Sequence, residues 1–207
     1  MSDFKQQLKA AYDLDSKERL ALEGVRDEWK SVVRRELALV FRSKNVRNIL
    51  ELGSGVGTDA KFFQDSGFNV LATDFSNGMV KICKEKGLDT MNLDLYDIAT
   101  LQKKFDAVYT LNTLLHVPKK DLDVVLSDIH NVLNPGGIFF YGVYGGKDEE
   151  QIRSDKGRVK LPRFFSFLSD DSLLRVVKDK FKIFEFKTID TGSKIPWFHF
   201  QSLTLIK

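Results

Sequence analysis

The chain has a single cysteine, Cys83, in 207 residues. That excludes an intramolecular disulfide and any multi-cysteine zinc site, and no metal is expected. Met79, Val80 and Ile82 beside it suggest an amphipathic helix, where a lone thiol is a small buried hydrophobe. No cationic segment followed by an apolar run opens the chain, and no apolar stretch approaches the roughly 18 residues of a membrane helix. A cytoplasmic protein with no membrane partner is expected. Strong charge is missing too: 32 basic against 29 acidic residues leave +3. The basic residues gather at Arg26, Lys30, Arg34, Arg35, Arg42, Lys44 and Arg47, and again at Arg153, Lys156, Arg158, Lys160 and Arg163. Acids interleave both groups, unlike the one-sided footprint of a nucleic-acid binder. There is no repeat, no low-complexity tract and no sign of a second domain.

What remains is an ordinary globular composition, 43% hydrophobic and 29% charged, of a length that suits one domain with a real core. Seventeen phenylalanines are many, and they cluster late, around Phe164, Phe165, Phe167, Phe198 and Phe200. Core packing on strands accounts for most of them. A few could line an apolar or aromatic substrate pocket.

Residues 4–41 read as two helices, with Ser16 as cap of the second and Leu20, Val25, Trp29, Val32, Val33, Leu37 and Val40 at three- and four-residue steps. A regular alternation follows. Strands are expected at 46–52, 68–73, 89–93, 105–111 and 137–143, with helices near 58–66, 77–86 and 119–133. Gly67 and Gly87 stand where a left-handed residue ends a helix. Asn134-Pro135-Gly136-Gly137 reads as a turn before the fifth strand. A helix at 169–179, capped by Ser169, precedes two β runs, 181–189 and 198–206, that should pair antiparallel. The pattern predicts an α/β fold: a Rossmann-like, doubly wound, mostly parallel seven-stranded sheet with an antiparallel C-terminal strand, helices on both faces and an N-terminal helical cap. One domain is expected, divided into a cap at 1–45, a cofactor-binding core at 46–145, and an acceptor-side loop, helix and hairpin at 146–207.

The most informative stretch is ILELGSGVG at 49–57. An apolar strand meets Glu51 and then Gly53, Gly55 and Gly57 at alternate positions. Glycine lets the backbone turn sharply and lie against a ligand. A dinucleotide fingerprint needs glycine at 58, where Thr58 stands, and no lysine ends the loop as a phosphate-binding loop would require. A carboxylate-led glycine loop suits an adenosine ligand without phosphates and with positive charge.

ELGSGVG resembles motif I of the class I S-adenosylmethionine-dependent methyltransferases, and the resemblance covers residues 46–145. It implies S-adenosyl-L-methionine as cofactor, with S-adenosyl-L-homocysteine as product. Asp74 falls 21 residues beyond Gly53, where a Rossmann-like crevice needs a carboxylate for the ribose hydroxyls. By resemblance Phe75 or Met79 lies against the adenine, and Asp94 accepts from its amine with Leu95 or Tyr96 beside it; Asp97 is the alternative to Asp94. The same resemblance implies that Glu51 supports the loop, to which Ser54 belongs, and reaches the methionine ammonium through water. Three acids around one crevice agree with a ligand of net charge +1.

Leu111-Asn112-Thr113-Leu114-Leu115-His116-Val117-Pro118 resembles motif IV of small-molecule methyltransferases, with Asn112 facing the methionine part of the cofactor. Asp/Asn-Pro-Pro-Tyr/Phe and a Pro-Cys nucleophile are both missing, against base-amine and cytosine C5 methylation. His116, at the carboxyl end of a central strand, is the candidate general base or else positions the substrate; His130 and His199 are less well placed. Tyr141 and Tyr144 could reach the acceptor, the segment 145–168 forms its wall, and the N-terminal helices with Tyr12 and Trp29 cover the cofactor. The implied reaction is in-line methyl transfer to an O or N atom of a small molecule by a monomer or homodimer. A tRNA-modifying enzyme and a non-catalytic S-adenosylmethionine-binding subunit remain alternatives.

Overall fold

The computed structural model describes residues 3–23, 28–154 and 161–207. Val25 and Arg26 of the expected second helix, and Lys156, Arg158 and Lys160 of the later basic group and acceptor wall, lie outside the described residues. The chain divides into two compact units: Met1–Asp94 with Arg153–Arg163, and Leu95–Ile152 with Phe164–Lys207.

The first unit opens with two helices, α1 (Asp3–Ala21) and α2 (Glu28–Ser43). α2 buries Val33, Leu37, Ala38 and Phe41, an apolar stripe at helical spacing. Ser16 does not cap α2. It sits inside α1, where its hydroxyl donates to the Asp13 carbonyl at 2.9 Å. A mid-helix serine satisfied by the preceding turn does not end its helix.

An alternation follows: β1 (Asn48–Leu52), α3 (Thr58–Asp65), β2 (Asn69–Asp74), α4 (Asn77–Glu85) and β3 (Asp89–Asn92). β2 runs parallel to β1 and β3, with Leu52 opposite Thr73 and Asp74 opposite Asn92. The loops that carry the expected cofactor residues therefore leave the strands at one edge. α2, α3 and α4 all end on a left-handed residue: Asn45, Gly67 and Gly87, at φ 57°, 93° and 73°. In each case the next N–H reaches back, Val46 to the Phe41 carbonyl, Phe68 to Phe63 and Leu88 to Cys83, at 3.0, 3.1 and 3.2 Å. Phe41, Phe63 and Phe68 pack together behind these ends, all buried.

The second unit contains β4 (Phe105–Leu111), α5 (Lys119–Val132) and β5 (Leu133–Gly145). β6 (Glu149–Arg153) and β7 (Arg163–Phe167) form a separate two-stranded sheet. α6 (Asp170–Val177), β8 (Lys182–Ile189) and β9 (His199–Ile206) complete the chain. The segment expected as an open loop at 145–168 thus carries two strands. β4 and β5 are parallel, whereas β9 pairs antiparallel with both β5 and β8. The mixed sheet has seven strands in the order β3-β2-β1-β4-β5-β9-β8. Asn134–Gly137 is not a turn ahead of β5. Phe105 pairs with Leu133 and Ala107 with Ile138, so those four residues bulge out within the strand. Ser169 caps α6 as expected, its hydroxyl accepting the Ser172 N–H at 3.2 Å. Among the described residues no helix is long and apolar enough to cross a membrane.

Candidate functional site

The three glycines of the first loop do different work. The Gly53 and Ser54 N–H groups both donate to the Thr73 carbonyl at 2.8 Å, which ties the loop to the end of β2. Gly57 begins α3 at φ 78°, and a Cβ there would stand 2.6 Å from Leu88 Cδ1 and 2.9 Å from Cys83 Sγ. The third glycine serves close packing. At Gly55 a Cβ would meet nothing within 4 Å, so the backbone there faces open space, while its N–H donates to Asp74 Oδ2 at 2.8 Å.

Asp74 takes a second N–H, from Ser76, on Oδ1 at 2.8 Å. Burial pushes its carboxyl up to about 6; the Ser76 and Gly55 N–H groups and Arg19 pull it down, and Asp13 pushes it up. Glu51 is buried, and its carbonyl accepts the Thr73 hydroxyl at 2.8 Å. Cys83, buried as expected, donates to the Gly55 carbonyl at 3.3 Å, and burial pushes its thiol up to about 11. Ser54 lies against it, Oγ to Sγ 3.6 Å.

Helix α1 brings groups that no motif in the sequence named. Asp13 accepts the Ser76 hydroxyl at 2.6 Å and the Gly78 N–H at 2.9 Å. Lys5 pairs with Asp94. Tyr12 lies between two guanidiniums, Arg19 at 5.0 Å and Arg163 at 5.4 Å from its ring centre, and Arg163 donates to its hydroxyl at 3.3 Å. Burial raises the Tyr12 phenol, against the two arginines. Arg19 also pairs with Asp15 and acts on Asp74. A lysine does reach the glycine loop, from the end of α4: Lys86 Nζ donates to the Val56 carbonyl at 2.7 Å and to both Glu23 oxygens at 2.6 Å. Glu23 neutralises it and also accepts the Thr58 hydroxyl at 2.7 Å.

The structure thus brings Gly53, Gly55, Asp74 and Tyr12 together within the first unit. Phe75 is half-buried, whereas Met79 is buried, with its N–H on the Ser76 hydroxyl. Trp29 has the Lys30 ammonium over its ring at 5.1 Å. The residues fit a cationic adenosine ligand. The open backbone face at Gly55 admits close approach, the Asp74 carboxyl stands beside it, and the nearby lysine is already paired.

In the second unit, Leu95 is half-buried at the start of a 3-10 turn over 95–100, where Asp97 is exposed. The Tyr96 hydroxyl donates to Asp121 at 2.8 Å. Asn112 stands at φ 56° just past β4, and its side-chain oxygen accepts the Tyr144 N–H at 3.1 Å. Asparagine tolerates that left-handed geometry better than most residues. His116 is buried in a short 3-10 turn, with Nδ1 2.7 Å from the Phe164 carbonyl and its ring 5.0 Å from Phe165. A carbonyl only accepts, so Nδ1 carries the proton and Nε2 is the acceptor in the neutral ring.

Tyr144 stacks on Phe198 at 4.9 Å. Tyr141 is a core residue and not an acceptor contact: it is buried against Phe139, and burial raises its phenol. His199 lies at the start of the terminal strand β9. It stands opposite Gly145, at the carboxyl end of β5, with Nε2 2.8 Å from Asp170. Asp170 also accepts from Gln201 at 2.7 Å. Only the antiparallel register puts His199 there, and periodicity carries no signal for it.

A methyltransferase-domain family model matches residues 49–137. An uncharacterized methyltransferase of Oceanobacillus iheyensis is 24% identical over 148 residues, 67% of this chain and 68% of the relative. A demethylmenaquinone methyltransferase of Streptomyces avermitilis is 35% identical over 109 residues, 51% of this chain but only 46% of the relative. Among solved structures, the Burkholderia thailandensis 1,6-didemethyltoxoflavin-N1-methyltransferase with bound 1,6-didemethyltoxoflavin and S-adenosylhomocysteine is similar in fold. Its TM-score is 0.66 at 17% identity, covering 100% of this chain and 91% of that one. Residues 49–137 thus match a methyltransferase domain, and the fold is similar to that of solved S-adenosylmethionine-dependent methyltransferases.

Proposed function

We propose that the chain transfers a methyl group from S-adenosylmethionine to an O or N atom of a small-molecule acceptor. The observation that carries the donor side is Asp74, held by the Gly55 and Ser76 N–H groups beside an open glycine backbone. When bound, the cofactor supplies an electrophilic methyl group on a sulfonium, and S-adenosylhomocysteine is left when the carbon–sulfur bond breaks.

The residues assigned to holding it are Glu51, Gly53, Ser54, Gly55, Asp74 and Asp94, with Phe75, Met79 and Leu95 near the adenine and Asn112 near the methionine part. On Asp74 each oxygen already has one N–H partner and keeps a lone pair for a ribose hydroxyl. For the acceptor, His116 Nε2 takes the proton that an O–H or N–H loses as its new bond to carbon forms, and the Phe164 carbonyl fixes the tautomer. Tyr144 is assigned to the acceptor side beside Phe198. Demethylmenaquinone, named for a relative 35% identical, supports a small-molecule acceptor; a tRNA N(3)-methylcytidine methyltransferase, 21% identical over 171 residues, makes RNA the competing reading.

The test is a methyl-labelled donor supplied to the purified protein with pooled metabolites or with total tRNA, read by mass. Label is expected in a small molecule. Label confined to tRNA, or donor binding without any transfer, overturns the reading. His116→Ala should lower turnover by roughly 10²–10⁴ and alter the pH profile; a loss under about tenfold with an unchanged profile removes His116 as base.

A further inference from the structure

The first unit holds a connection between helix α1 and the ribose-side carboxylate. Asp13 Oδ1 accepts the Ser76 hydroxyl and the Gly78 N–H at 2.6 and 2.9 Å, at the start of α4. Ser76 is the cap of α4, accepting the Met79 N–H at 3.2 Å. Its own N–H donates to Asp74 Oδ1 at 2.8 Å. One residue, Ser76, therefore separates the two carboxylates.

The approach is close by construction. A Cβ on Gly78 would stand 2.7 Å from Ser16 Oγ and 3.2 Å from the Asp13 carbonyl oxygen. Only a glycine opposite a small residue lets the two helices come so near. The other Asp13 oxygen is held by Lys9 at 2.7 Å. Burial opposes ionisation of Asp13, but the Gly78 N–H, Lys9 and Ser76 outweigh it and keep the carboxyl below its ordinary value. Without Asp13, the Ser76 hydroxyl loses its acceptor and the Gly78 N–H becomes one of the orphan donors of a helix start. The turn that aims Asp74 then loses its brace from α1 and keeps the Asn92 amide on the Asp74 and Phe75 carbonyls.

We propose that Asp13 is a positioning residue for cofactor binding: through Ser76 it holds Asp74 in the orientation that takes the ribose hydroxyls, so that docking of α1 and completion of the ribose site are one event. This rests on the reading of Asp74 as the ribose carboxylate. Around Asp74 stand Tyr12, Asp13 and Arg19 of α1 and Cys83 of α4, and Lys9 and Arg163 stand next to these. Asp13 is the anion among them that raises the proton affinity of Asp74.

The experiment measures S-adenosylhomocysteine binding by calorimetry from about pH 5 to 8 for the wild type and for Asp74→Ala, Asp13→Ala and Asp13→Asn, with donor kinetics alongside. Asp13→Ala should weaken binding about tenfold, the net worth of a charged hydrogen bond, with the loss falling on donor KM and not on kcat. Asp13→Asn keeps an acceptor oxygen but no charge. It should recover most of the affinity and move the acid limb of binding to lower pH, a shift that a purely structural role of Asp13 would not produce. Binding of folded Asp13→Ala within about twofold of wild type, or an unmoved acid limb in Asp13→Asn, overturns the proposal. Should Asp13→Ala fail to fold, the acid limb of Asp13→Asn decides alone. If Asp74→Ala binds like wild type, the ribose reading falls first, and that result is distinct from a loss seen in Asp74→Ala but not at Asp13.

Discussion

Asp74 is held by opposing influences. Burial disfavours its charge, two N–H groups and Arg19 favour it, and the outcome is a carboxyl near 6 against an ordinary 3.8. A group that binds its proton more tightly when folded stabilises the fold below its unfolded pKa. That stability is lost as pH rises through the folded value. The span between 3.8 and about 6 is worth of order 3 kcal/mol. Denaturant unfolding of wild type and Asp74→Asn at about pH 4 and pH 7 isolates the group: wild type should lose of order 3 kcal/mol relative to the variant over that range. Parallel profiles would show that Asp74 titrates as an ordinary aspartate. The carboxylate itself was legible, because its distance from the glycine loop is a sequence spacing. Its partners were not. Asp13 and Arg19 arrive through folding from positions that carry no motif, as do Lys5 beside Asp94 and Lys86 beside the glycine loop.

Among elements, helix ends show where local chemistry speaks and where it is silent. Gly67 and Gly87 announced two left-handed stops, and the third, at Asn45, has the same hydrogen bonds without a glycine. Asparagine visits the left-handed region more readily than other side chains, whereas alanine there costs about 1–2 kcal/mol. Asn45→Ala is therefore expected to lower stability by about 1 kcal/mol, and Asn45→Gly to match or exceed wild type, by denaturant titration. Equal stability of all three would mean that the end of α2 does not depend on the left-handed residue. Two other signals were overridden by their surroundings. Ser16 looks like a cap, yet its hydroxyl is satisfied within α1. Asn134–Gly137 has turn composition, yet the chain resumes the same strand, with Asn134 Nδ2 donating to Asp106 at 2.8 Å across the bulge.

For the whole chain, neither unit is continuous in sequence, since each contains a segment from beyond the other. Periodicity located the seven strands of the mixed sheet within a few residues and missed β6 and β7, and it carries no information on pairing order. That β9 enters between β5 and β8 is a finding of the structure. The order has an energetic consequence. β9 contributes Phe200, Leu203 and Leu205, all fully buried, and fills the hydrogen-bonding edges of both β5 and β8. Three such side chains are worth about 1.5–3 kcal/mol each, before the unpaired strand edges are counted, against a total stability of about 5–15 kcal/mol for a typical domain. A chain ending at Asp190 should therefore lack a cooperative thermal transition by circular dichroism and bind a hydrophobic dye, although α1–α6 and β1–β8 are all present in its sequence. A cooperative melt within about 5 °C of the full chain would show that β9 is an accessory strand. On the present geometry it is a core strand, and the fold is completed only when the last residues of the sequence are in place.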